Sequence, residues 1–236
     1  MVAEPVQEII RENKVYFYGT AFFYAFFITF CTLLSGMLLA YLIYGLRLTS
    51  ALWILLPLFA YVFIQVSNGF FLFTITYVSA LILEHKEVTL QDSKYIVKHF
   101  FVETLKIPFF ILSKRDTLRR YLSYPHAIFS DKKIFEAYED AEKLRKAIDG
   151  GYPMLNIPLL VGYVAITGIY YLLLYLLPLN PYTVLTVATA WIFTMSFAGL
   201  ISRVPKLIER TALYIYSKAG RILSPFTFED LKESIT

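Results

Sequence analysis

The longest apolar stretch covers residues 52–83 and holds Gln65, Ser67, Asn68 and Gly69 near its middle. A helix rises 1.5 Å per residue and needs about 20 apolar residues to cross bilayer hydrocarbon, so this stretch predicts a membrane span. Residues 15–44, 154–178 and 182–201 repeat the pattern, with Tyr16, Tyr18, Tyr41 and Tyr44 framing the first as an interfacial aromatic belt does. Residues 45–50 make a short turn that forces spans one and two to be antiparallel neighbours.

The polar stretches predict helices as well. In residues 84–152, Thr89 and Asp92 have the spacing of a capping box. Ile96, Phe100, Thr104 and Phe109 then share a helical face that ends around Pro108, lying either on the membrane or against a second peripheral helix. The helical signal breaks up around Pro125. It resumes at Ser130 or Asp131, with Glu139 and Lys143, and Glu142 and Lys146, as i,i+4 pairs, and Gly150 and Gly151 end it. Beyond Arg203 and Pro205 an amphipathic helix follows, and Phe226, Thr227, Asp230 and Leu231 predict one last short helix.

These elements imply an all-α polytopic membrane protein with four transmembrane helices in two hairpins. Its segments are residues 1–14, a first hairpin at 15–83, a helical segment at 84–152, a second hairpin at 153–202 and an amphipathic C-terminal segment at 203–236. Lys and Arg number two in residues 1–14, one in the first turn, 13 in residues 84–152, none in the second turn and six after span four. The positive-inside rule therefore predicts a multi-pass cell-membrane protein with both termini and the central segment cytoplasmic.

Composition agrees: 58% of residues are hydrophobic and 17% charged, against about 25% charged in an ordinary soluble domain. The net charge of +4 comes from bases interleaved with acids beside apolar runs, which fits anionic membrane lipids and excludes a dedicated nucleic-acid surface. Cys31 is the one cysteine, so no disulfide forms within the chain.

Candidate chemistry falls into two sets. Gln65, Ser67, Asn68 and Gly69 serve either as helix contacts or as a polar path, because lipid offers their polar groups no partner and Gly69 admits a close backbone. Lys114, Arg115, Arg119, Arg120, Arg203 and Lys206 are candidate contacts for anionic lipid. His85, His99 and His126 are too irregularly spaced for a local metal motif, and HExxH, GxxxxGK[ST] and GxSxG are absent, so neither a metal nor a cofactor is expected. An interfacial enzyme would have to draw on groups such as His99, Glu103 and Asp116, which no motif joins.

The tail, from Arg210 through Tyr214, Ile215 and Tyr216 to Gly220, Phe226 and Leu231, resembles the terminal segment of uncharacterised multi-spanning membrane proteins from archaea and bacteria. That resemblance implies a membrane protein and carries no chemistry. The sequence as a whole leads to a noncatalytic scaffold or accessory subunit of a membrane complex, partnered by lipids and by a second copy or an unlike subunit. The alternative is a homo-oligomeric channel or transporter with Gln65 and Asn68 facing its path.

Overall fold

The structure, a computed structural model, describes residues 4–45, 55–114, 117–147, 157–178 and 180–227. Among these residues all regular structure is helical. The expected turn at 46–50, the glycines ending the central helix, the entrance to the third span, Arg115, Asp116 and the last short helix beyond Thr227 fall wholly or mainly outside the described residues.

A short helix α1 (Glu4–Glu12) precedes α2 (Lys14–Ala40), which runs on through a π-helical turn at Tyr41–Gly45. Then come α3 (Leu55–Leu83), α4 (Leu90–His99), α5 (Phe101–Ser113), α6 (Thr117–Ser130) and α7 (Ile134–Ala147). The chain continues as α8 (Ile157–Leu176), α9 (Pro181–Ile201) and α10 (Val204–Ala219). Among the described residues three stretches are long and apolar enough to cross a membrane, Lys14–Gly45, Leu58–Leu83 and Pro181–Ala219, and Val161–Leu176 is a shorter apolar helix. The fold is thus all-α and has the helices of a polytopic membrane protein.

The three stretches differ in how much the protein itself covers them. The apolar window of α3 is 72% buried, against 18% for the stretch containing α2 and 11% for the one containing α9. α3 is therefore the helix around which the others pack. Along α2, Phe22, Phe23, Phe26, Phe27 and Phe30 are exposed while Phe17, Ala21, Tyr24, Ala25 and Ile28 are buried, so one face is packed in the core and the other is largely left uncovered by the described residues. Phe22 touches Phe193 and Phe197 of α9 edge-on, and Tyr170 of α8 bonds Thr194 of α9 through their hydroxyls at 2.8 Å, so the second hairpin leans on the flank of α2.

α4 and α5 run back along α3 in an antiparallel register. Tyr95 lies against Tyr77, Phe100 stacks on Phe73 with ring centroids 4.7 Å apart, Phe101 meets Phe70, and the carbonyl of Pro108 accepts a 3.3 Å bond from the Tyr61 hydroxyl. The cap is in place at the start of α4: the Thr89 backbone N–H donates to the Asp92 carboxylate at 2.7 Å.

Two expectations need correction. The face expected to end around Pro108 does not end there, because α5 continues to Ser113, and α6 continues through Pro125 to Ser130. A proline removes one N–H and strains one turn, which tertiary packing here outweighs, since Ile107, Phe110, Leu122, Tyr124 and Ala127 are all buried around the two prolines. The helix is instead interrupted at Phe100, whose φ of −103° and ψ of 14° leave the helical range. That break re-aims the next residues: Ile96, Phe100 and Thr104 point inward as expected, but Phe109 is 70% exposed and Ile107 and Phe110 take the inner face. α5 thereby packs on α3 and, through Phe110 against Phe135 and Tyr138, on α7, while Phe101, Val102, Leu105, Phe109 and Leu112 form an exposed apolar stripe.

The turn at Ser202 and Arg203 separates α10 from α9, and α10 packs against α3, α6 and α1. It buries Val204, Leu207, Ile208 and the whole run Thr211–Ile215, and Gly220 closes it with a φ of +62°. Phe226 returns to the same core.

Candidate functional site

The polar centre of α3 is a buried seam. Ser67 is fully buried and Asn68 5% exposed, with the Asn68 amide donating to the Gln65 side-chain oxygen at 3.4 Å. A Cβ added to Gly69 would fall 2.7 Å from Ile107 Cγ1, so α5 crosses α3 closely at this point. Toward the end of α3, Thr76 bonds back to the Leu72 carbonyl at 2.7 Å and Thr74 meets the Tyr24 hydroxyl at 3.4 Å. Such back-bonding lets hydroxyls sit in an apolar helix at little cost. The Ser67 and Ser79 hydroxyls have no hydrogen-bond partner among the described residues.

Gln65 faces elsewhere. It lines a cleft of about 190 Å³ together with Leu72 of α3, Ile111 of α5, Arg120, Tyr121 and Tyr124 of α6, and Arg203 at the start of α10. Residues from both candidate sets thus meet here. Burial first of all pushes the Tyr124 phenol pKa well up, with Tyr121 adding to it, and the Arg203 and Arg120 guanidinium groups pull it back down.

Two of the other basic candidates, Arg119 and Lys114, point at protein. Arg119 donates through Nε to the Tyr138 carbonyl at 2.6 Å, pairs with the Glu139 carboxylate at 2.9 Å and the Glu142 carboxylate at 2.6 Å, and lies 4.0 Å over the Tyr138 ring. Lys114 pairs with Glu139 at 2.7 Å, and that hydrogen bond first of all holds the Glu139 carboxyl below its ordinary pKa. Both bases therefore join α6 and the end of α5 to α7. Lys206 is half-buried in the first turn of α10. A second, larger groove of about 460 Å³ lies between α1, the start of α2 and Pro205, with Arg11 and Lys14 on its wall.

In the sequence His126 stands out only as one of three irregularly spaced histidines, and its partners are visible only in the fold. Its ring is buried in α6, with Nδ1 3.0 Å from the Tyr214 hydroxyl of α10 and Nε2 3.4 Å from the Asp140 carboxylate of α7. Ser130 Oγ stands 3.4 Å from Nδ1 and 3.3 Å from the Tyr214 hydroxyl, and Lys132 binds the same Asp140 oxygen. A carboxylate on Nε2 assigns the proton to that nitrogen and leaves Nδ1 to accept. Burial pushes the His126 pKa below its ordinary value, opposed by the bond to Asp140. The sequence signal was faint: His126 and Ser130 lie one helical turn apart, but their partners are 14 and 88 residues from His126.

Of the residues weighed for interfacial catalysis Asp116 lies outside the described residues, and His99 and Glu103 keep separate partners. His99 lies 2.8 Å from Asp131 and stacks on Tyr95, whereas Glu103 pairs with Lys106 and accepts the Ile134 backbone N–H at 2.9 Å. Among the described residues no group of three or more His, Cys, Asp or Glu side chains is arranged to hold a metal ion. What these helices define is an all-α protein equipped to enter a membrane, with a packed polar seam and one small cationic cleft. No family model, curated protein or solved structure matches the chain.

Proposed function

We propose that the protein is a noncatalytic integral-membrane scaffold or accessory subunit, crossing the membrane four times in two hairpins, with both termini cytoplasmic and the central helical segment entering from the cytoplasmic side, where α5 dips alongside α3. The observation that carries this reading is that the polar centre of α3 is covered by the chain's own α5, at a crossing so close that a Cβ at position 69 would crowd Ile107. A solute path would need those polar groups to face water. Asn68 instead spends its amide on Gln65 and is buried. The fourth span rests on α8, whose 20 residues reach about 30 Å, enough for the hydrocarbon layer. Its exposed Val161, Val164, Ile169 and Leu172, like the phenylalanines of α2, suit lipid or an apolar face of another subunit.

Reconstitution alone into liposomes tests the proposal. The protein is expected to carry no solute flux above empty liposomes. Flux that disappears in a Gln65→Leu, Asn68→Leu variant would replace the scaffold with a channel or transporter.

A further inference from the structure

Arg120 and Arg203 reach the same small cleft from different elements, one in the first turn of α6 and the other capping α10. Both positions lie near the positive end of a helix dipole, where a cation is disfavoured and an anion is welcome. Among the seven lining residues there is no Asp or Glu, and the polar remainder, Gln65 with Tyr121 and Tyr124, supplies an amide and two hydroxyls. Ordinary small-molecule pockets run from about 300 to 1,000 Å³. At about 190 Å³ this cleft is too small for most whole organic substrates, but it has room for a compact oxyanion.

We propose that the cleft binds a phosphate group, gripped by the Arg120 and Arg203 guanidinium forks, with Gln65 and Tyr121 as neutral donors. Guanidinium matches phosphate in a planar, two-pronged geometry, and its charge-assisted bonds are about twice as strong as neutral ones. Ile111 on the cleft wall belongs to α5, whose neighbouring Phe109 and Leu112 are exposed apolar residues. An acyl chain can therefore lie beside a bound headgroup, and basic pockets between helices on the cytoplasmic side hold phospholipid headgroups in this way. A soluble phosphate would use the same two arginines. The inference does not rest on the scaffold reading, since a channel could carry the same site.

The test is a binding titration of the full chain in zwitterionic phosphatidylcholine nanodiscs, using short-chain phosphatidic acid and, separately, inorganic phosphate. Arg203→Gln and Arg120→Gln are each expected to weaken binding at least tenfold, and Arg203→Lys to weaken it less than Arg203→Gln. A variant with Arg11→Gln and Lys14→Gln, altered at the other groove, is expected to bind as the parent does. Saturable phosphatidic acid binding that phosphate cannot displace identifies a headgroup site, whereas binding of phosphate itself with mutual competition identifies a soluble phosphate; either supports the cleft. If Arg120→Gln does not fold, the two Arg203 variants decide. Absence of binding by both probes, or unchanged affinity in folded Arg203→Gln, overturns the proposal, and neither result bears on solute flux.

Discussion

Gly69 of α3 faces Ile107 of α5 so closely that a Cβ on the glycine would lie 2.7 Å from Ile107 Cγ1 and 3.3 Å from its Cβ. Ile107 is fully buried, so the atoms in the way belong to the stem of a packed side chain and not to a free end. Overpacking of this kind costs about 1 to 3 kcal/mol, whereas replacing a mid-helix glycine by alanine returns about 1 kcal/mol. Gly69→Ala should therefore destabilise the protein by about 1 kcal/mol net. In an Ile107→Ala background the 2.7 Å contact is gone and only the Cβ at 3.3 Å remains, so the same substitution should cost clearly less or become neutral. Thermal unfolding in detergent of the four variants in the cycle measures this coupling; strict additivity would mean that the two residues do not touch.

Ser67 buries a hydroxyl for which the described residues offer no partner. An unsatisfied buried polar group costs about 1 to 3 kcal/mol, and removing it with little change of shape recovers part of that. Ser67→Ala should leave stability unchanged or raise it by up to about 1 kcal/mol. A clear loss in the same unfolding assay would reveal a bonded hydroxyl.

Arg119 joins α6 to α7 through a backbone carbonyl, two carboxylates and an aromatic face, and its side chain is only 13% exposed. Hydrogen bonds to charged groups contribute about 1.5 to 3 kcal/mol each, less where the partner is exposed. Arg119→Ala should cost about 2 kcal/mol or more, and Arg119→Lys should recover little because an ammonium lacks the planar fork. Limited proteolysis between α6 and α7 provides a local reading of the same loss. If Arg119→Ala leaves both stability and protease resistance intact, the guanidinium is not what holds these helices together.

His126 gives the fold a pH dependence with a definite sign. Its folded-state pKa lies below the value of about 6.5 that it has when unfolded, so in the interval between them the unfolded chain binds more protons and stability rises with pH. The contribution is complete above about pH 6.5 and is lost as pH falls toward the folded-state value. Acidification should loosen the attachment of α6 to Tyr214 of α10. His126→Gln should flatten the fall in melting temperature below about pH 6.5, and an unchanged slope would assign the acid sensitivity to other groups.

Much of the helical layout could be read from local pattern. The Thr89 and Asp92 cap needs only residues three apart, and the long apolar runs behind α2, α3 and α9 need only length. What could not be read depended on partners distant in sequence. Composition alone treats the apolar stretches of α2, α3 and α9 as equals, yet only α3 is mostly covered by protein, because α4, α5, α6 and α10 fold back upon it. Prolines 108 and 125 looked like helix ends because the strain they add is local, while the packing that overrides it is not. The cleft escaped for the same reason: Gln65, Arg120 and Arg203 were each noticeable, but nothing in their spacing shows that three segments so far apart converge.

The central claim, that the polar centre of α3 is a packed seam and not a wall of a path, is tested most directly by thiol accessibility. Cys31 is the sole cysteine, so a Cys31→Ser background allows Ser67→Cys and Asn68→Cys to be probed singly in liposomes with a charged, membrane-impermeant maleimide. Glu84→Cys, exposed just beyond the end of α3, serves as the reactive standard, and detergent denaturation checks that every thiol is intact. The seam predicts that positions 67 and 68 stay unmodified under conditions that fully label position 84. Labelling at 67 and 68 as fast as at 84 would put the centre of α3 in contact with water and contradict the account.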